Sequence, residues 1–233
     1  QESGLRNISH GDRDSLGLFQ QRPSQGWGTP QEILDPTYAA AEFYKHLVKV
    51  DDYQKLPLTV AAQRVQRSGF PEAYAKHEPD AAVLAAALTG TSAASLTCDG
   101  RQDTARAAGT DAQEAATGPD AVRSALVRDF GRDALETTAA EVGGKASPSP
   151  TPTPGDGRTV TLPVRKDTSP GADRSLTERG WQLAHWAVAN ASALRIERVS
   201  YAGRQWTAGN TDSQWRPVGS ESATGSVRIL TAR

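Results

Sequence analysis

Residues 147–155 read SPSPTPTPG, with a proline at every second position from 148 to 154. Proline fixes its own φ and has no N–H to donate. Neither a helix interior nor a central strand can hold this run, which is expected to be extended, polyproline-like, disordered chain without a core over 144–157. It also marks a change of pattern. Before it, apolar residues recur at helical spacing; after it, short alternating runs read as strands. The chain is therefore expected to be α+β, with a mainly α N-terminal unit, a linker and a small α+β C-terminal domain.

The sequence has 233 residues and a formal net charge of −1. That length suits one large domain or two small ones, and near-neutral charge argues against a dedicated nucleic-acid binder. No run reaches the ~18 apolar residues of a membrane helix, so membrane attachment would require a segment upstream of Gln1. No methionine occurs anywhere, and the sequence is expected to be a piece of a longer protein. Cys98 is the only cysteine. Two readings stay open for it: a buried intracellular thiol, or a disulfide to a cysteine upstream of Gln1.

Organisation follows from the punctuation. TPQE at 29–32 is a capping box with Pro30 in the first helical position. Asp35 and Pro36 start a second helix, in which Ala39, Phe43, Leu47 and Val50 form one stripe. Thr59 is expected to cap a third helix, with Val60, Ala61 and Val65 turned inward. Pro71 and Pro79 open two more helical pieces, and Gly90 closes the last. Residues 1–96 thus read as one helical unit, which would gain from a further helix before Gln1. Residues 97–117 read as a linker, and 118–233 as the second domain. There, helices are expected over 118–131 and 175–194, and strands at 160–164, 195–203 and 226–233. Two tryptophan-bearing runs, RQWTAG and QWRPV, fall in strand-like contexts. Trp181, Trp186, Trp206 and Trp215 supply either its core or a partly exposed ligand face.

Cleaving a glycosidic bond requires a carboxylic acid that protonates the leaving oxygen, kept protonated near neutral pH by apolar surroundings. Glu2 is followed by Ser3, by GDRDS at 11–15 and by GLFQQRP at 17–23, a glycine-bounded turn whose glutamine suits a sugar amide or hydroxyl. Together, ESGLRN, GDRDSLGLFQQRP and GWGT resemble the catalytic signature of lysozyme-like, lytic-transglycosylase-type domains. With DPTYAAAEFYKHL and AAQRVQRSGFPEAYAKHE, the blocks are similar to a family of exported actinobacterial cell-wall proteins over residues 1–96.

The resemblance implies that Glu2 is the general acid and that Ser3 supports it. It further implies that Gly17, Phe19 and Gln20 belong to the saccharide cleft. A lytic transglycosylase uses the substrate's own 6-hydroxyl as nucleophile and needs no second carboxylate. In a hydrolytic variant, Asp12 or Asp14 would serve as that carboxylate; the plainer reading makes both turn caps. The family's Tyr-Asn motif has no clean match, and Gln63, Gln66 or Tyr74 would take its place. The implied partners are peptidoglycan glycan strands, the implied location is extracytoplasmic, and no cofactor is implied. If a helix before Gln1 normally delivers Glu2, this stretch alone is expected to be inactive, with Glu2 at a frayed end and Cys98 unpaired. A non-catalytic envelope-binding protein remains the rival reading.

The second domain distantly resembles zinc DD-peptidase relatives of secreted actinobacterial proteins. Such a site would need histidines on the last strand, which reads GSVRI from Gly225 to Ile229. His185 alone cannot supply the three protein ligands of catalytic zinc. The expectation is a degenerate binding or packing module without metal.

Overall fold

The computed structural model describes residues 1–100, 118–135, 157–166, 173–210, 212, 214–219 and 224–232. The expected linker beyond residue 100, and the proline-rich segment apart from Gly157, lie outside the described residues. The fold is α+β. It divides into two compact units, Gln1–Val83 and Leu84–Arg233.

The first unit is helical. The capping box at Thr29 and Glu32 forms as expected and starts α1, Pro30–Ile33. Asp35 caps α2, Pro36–Leu47, by accepting from the Thr37 N–H. Of the expected α2 stripe, Ala39 alone is fully buried; Phe43 and Leu47 are half-buried, and Val50 lies beyond the helix end. The third helix, α3, runs Leu58–Gln66 and begins after Pro57 without a side-chain cap. Thr59 is therefore inside the helix and not its cap. Ala61 and Val65 are buried as expected, whereas Val60 faces outward at 40% exposure. Pro71–His77 forms a 3-10 helix, and α4, Glu78–Thr89, follows directly.

The boundary between units falls inside α4, not after residue 96. The reason lies in what the following chain touches. The Ala87 carbonyl meets the His185 ring at 2.7 Å. Trp215 Nε1 donates to the Leu96 carbonyl at 2.9 Å, and Trp206 Nε1 donates to the Cys98 carbonyl at 3.0 Å. The end of the expected 1–96 unit and the opening of the expected linker are thus both pinned to the second unit's core. Gly90 ends α4 at φ 81°, and a Cβ there would stand 1.9 Å from the Glu178 carbonyl oxygen. Only glycine permits both the turn and the close approach.

The second unit begins with the end of α4 and continues in α5, Pro119–Phe130, which ends at Gly131. Five antiparallel strands follow in one sheet: β1 (Thr159–Pro163), β2 (Ile196–Tyr201), β3 (Arg204–Thr207), β4 (Arg216–Pro217) and β5 (Ser226–Thr231). Their spatial order is β1-β5-β2-β3-β4. Between β1 and β2 lie α6, Leu176–Ala189, and the short α7, Ala191–Leu194. A capping box of Ser175 and Glu178 starts α6. The register shifts between Ile196 and Arg198, and this irregularity puts Ile196 and Val199 both into the core despite their odd spacing. One buried cluster joins Val122 and Leu126 of α5, Trp181, Ala184 and Val188 of α6, and the inward residues of the sheet. Trp206 and Trp215 belong to it, whereas Trp186 packs at its edge and donates its Nε1–H to Asp129 at 2.8 Å.

Candidate functional site

The site in the first unit is built around a hairpin. Leu16 and Gln21 exchange both backbone hydrogen bonds, at 2.9 and 3.0 Å, and close a loop whose tip is Gly17-Leu18-Phe19-Gln20. Gly17 sits at φ 75°, and a Cβ there would meet the Ile33 carbonyl at 2.6 Å. Gln20 also takes a left-handed backbone, at φ 50°. Its amide nitrogen donates to the Gly17 carbonyl at 3.1 Å and offsets that strain locally.

Two side chains pin the tip from outside. Ser3, 7% exposed, donates its hydroxyl to the Leu18 carbonyl at 2.8 Å. Gln66, in the last turn of α3, donates to the Phe19 carbonyl at 2.9 Å. Gln21, 2% exposed, anchors the hairpin to α2 by donating to the Ala39 carbonyl at 2.9 Å.

A cleft of about 470 Å³ opens beside this hairpin. Glu2, Phe19, Gln20, Trp27, His46 and Gln66 are among its lining residues. Trp27 and His46 stack with ring centroids 4.3 Å apart and planes 21° from parallel. His46 is thus half of an aromatic shelf. Phe19 stacks on Phe43 at 5.4 Å. Tyr74 donates its phenolic hydrogen to Glu2 Oε1 in a short hydrogen bond. Burial, and then the Glu2 carboxylate beside it, push the Tyr74 hydroxyl pKa up. Glu2 is half-buried and held, not frayed. The Gln1 side chain also meets the His77 ring at 3.0 Å.

The other candidates separate from the cleft. Ser3 and Gly17 do not line it; they hold the hairpin in shape. Asp12 is exposed and lies 3.9 Å from Arg13. Asp14 pairs with Arg22 at 2.6 Å and caps the Ser24 N–H at 2.8 Å. Hydrogen bonds from Ser24, then Arg22, hold its carboxyl far below the usual carboxylate range. Neither aspartate lines the cleft, which favours the turn-cap reading of both. Residue-by-residue reading missed the basic side chains of the rim, Arg22, Lys49, Arg64 and Arg67. Arg64 and Arg67 share the end of α3, whereas Arg22 and Lys49 stand on other segments, so no local pattern groups all four.

In the second unit His185 is fully buried. It stands 5.4 Å from the Trp181 ring and 6.0 Å from the Trp215 ring. Its Nδ1 carries the proton toward the Ala87 carbonyl, and its Nε2 has no partner. Among the described residues no group of three His, Cys, Asp or Glu side chains is placed to hold a metal ion. Cys98 is half-buried and free, and burial raises its thiol pKa. A shallow hollow of about 380 Å³ lies on the sheet, lined by Arg198, Ser200, Arg204 and Arg228 among others. Among the described residues its lining includes no carboxylate, thiol or imidazole.

No helix among the described residues is long and apolar enough to cross a membrane. None of the curated proteins and none of the solved structures compared with the chain matches it. Residues 121–226, from α5 to the first residue of β5, are similar to the family described as VldE, C-terminal domain.

Proposed function

We propose that the first unit is a lysozyme-like, lytic-transglycosylase-type unit of a cell-wall protein that binds and cleaves peptidoglycan glycan strands. The observation that carries this reading is the meeting of Glu2, Gln20 and the Trp27 shelf in one cleft, with the Glu2 carboxyl held by Tyr74. Glu2 Oε1 is occupied by the phenol, which leaves Oε2 to protonate a leaving glycosidic oxygen. The aromatic shelf suits the apolar face of a sugar ring. Neither aspartate candidate lines the cleft, so an attack by the substrate's own hydroxyl fits better than a second protein carboxylate. Tyr74 is a positioning residue in the place of the family's Tyr-Asn motif. Such a substrate makes the protein extracytoplasmic, in the envelope or secreted. The second unit acts as a recognition module without metal.

One observation favours the rival reading, a non-catalytic envelope-binding protein. Glu2 is half-buried in a cleft lined mostly by polar and charged side chains, whereas a general acid is served by an apolar wall. The test uses the natural protein that carries this sequence. Incubated with purified sacculi, it is expected to release anhydro-ended muropeptides, and Glu2→Gln to abolish that release. Wild-type protein that sediments with sacculi and releases nothing would leave the binding reading and remove the enzymatic one.

A further inference from the structure

We infer that the cleft of the first unit selects acidic glycans, gripping free carboxylate groups carried by the sugars through Lys49, Arg64 and Arg67. The inference rests on the glycan reading above and narrows its substrate class. Among the described residues, four cationic side chains line the cleft, and Glu2 is its only carboxylate. Arg22 is already paired with Asp14. Lys49, Arg64 and Arg67 are exposed and form no ion pair with a described residue.

These three cations come from separate places. Lys49 follows the end of α2, Arg64 lies in the last turn of α3, and Arg67 is the left-handed residue that ends α3 at φ 50°. Two helix ends therefore present positive groups to one cleft. A neutral sugar polymer makes no use of them, whereas carboxylates spaced along a strand meet them one after another. The aromatic shelf binds the ring, and the cationic rim decides which ring substituents are accepted.

The test is calorimetric titration of the full chain with three soluble probes of equal length. These are oligosaccharides of alternating N-acetylglucosamine and N-acetylmuramic acid with free lactyl carboxylates, the same oligosaccharides methyl-esterified, and N-acetylglucosamine oligomers. The free acid is expected to bind about tenfold more tightly than its ester, a difference of about 1.4 kcal/mol. That gap should narrow as salt rises, because exposed charges are screened over about 8–10 Å at physiological ionic strength. Lys49→Ala combined with Arg64→Ala should bring the acid and ester to within about threefold of each other, with Arg67→Gln as an independent second variant. Equal binding of acid and ester by the wild type, or an undiminished preference in both variants, overturns the inference and leaves the glycan reading standing. Failure of all three probes to bind overturns both. Unchanged circular dichroism and melting of the variants separate lost recognition from lost folding.

Discussion

The two units are ordered by different forces. In the second, α5, α6 and the sheet close over one continuous apolar cluster that includes Trp181, Trp206 and Trp215. In the first, Ile33, Ala39, Ala61 and Val65 are the buried apolar side chains, and three polar ones, Ser3, Ser15 and Gln21, are buried beside them. There, hydrogen bonds from Ser3, Gln21 and Gln66 to backbone carbonyls fix the loop that borders the cleft. Apolar packing makes a thick, closed unit, whereas side-chain-to-backbone bonding can hold a hairpin open beside a concave surface. The unit with the thinner apolar core carries the candidate acid, as expected if sites are placed on loops that a scaffold positions.

Emptying a core position in the second unit should have the largest effect. Trp206 is fully buried, and its Nε1 bonds the Cys98 carbonyl. Trp206→Ala should cost about 3–5 kcal/mol from the cavity alone. Against a typical total of about 5–15 kcal/mol, chemical denaturation should show a large fall in the second unit's midpoint. A midpoint shift equivalent to less than about 1 kcal/mol would mean that the sheet does not depend on this cluster.

A smaller effect is expected where hydrogen bonds hold the structure. Gln66→Leu removes the donor to the Phe19 carbonyl and should cost about 0.5–1.5 kcal/mol of stability. Because that bond fixes the hairpin tip, the larger consequence should be weaker glycan binding in the calorimetric titration. Loss of stability without loss of binding would make Gln66 a structural support only.

The same contrast explains what could be read in advance. Elements with punctuation at both ends were legible: the capping box at Thr29, α5 between Gly118 and Gly131, and the alternation of Val227 and Ile229 in β5. The start of α3 was misplaced because Thr59 is a strong capping residue, yet the helix already begins at Leu58. The end of the first unit was misplaced for a different reason. Gly90 does close α4, but the destination of residues 91–100 depends on Trp206 and Trp215, more than a hundred residues later. In the cleft, Glu2, Phe19 and Gln20 were candidates through local motif likeness, whereas Tyr74, which bonds Glu2, was one of three stand-ins for a motif without a clean match. The cationic rim and the stacking of Trp27 on His46 were not legible, because they exist only after α2 and α3 are packed.

The smallest effect should be a pH slope confined to the second unit. Burial holds the His185 pKa below its ordinary value of 6.5, and the hydrogen bond to the Ala87 carbonyl opposes this only in part. Its ring is enclosed by Trp181 and Trp215, and its unpartnered Nε2 has no acceptor for a second proton. Below about pH 6.5 the unfolded chain therefore binds a proton at this position that the folded chain resists. The contribution is fully present above that pH and declines as pH falls from 6.5 toward the lower folded value. The melting temperature of the second unit should be level above about pH 7 and fall gradually toward pH 5. His185→Phe should flatten this slope, even though losing the His185 bond to the Ala87 carbonyl, which still accepts from the Gly90 N–H, lowers the melting temperature at every pH. A slope that persists unchanged in the variant would place the acid sensitivity in other groups and leave His185 as packing alone.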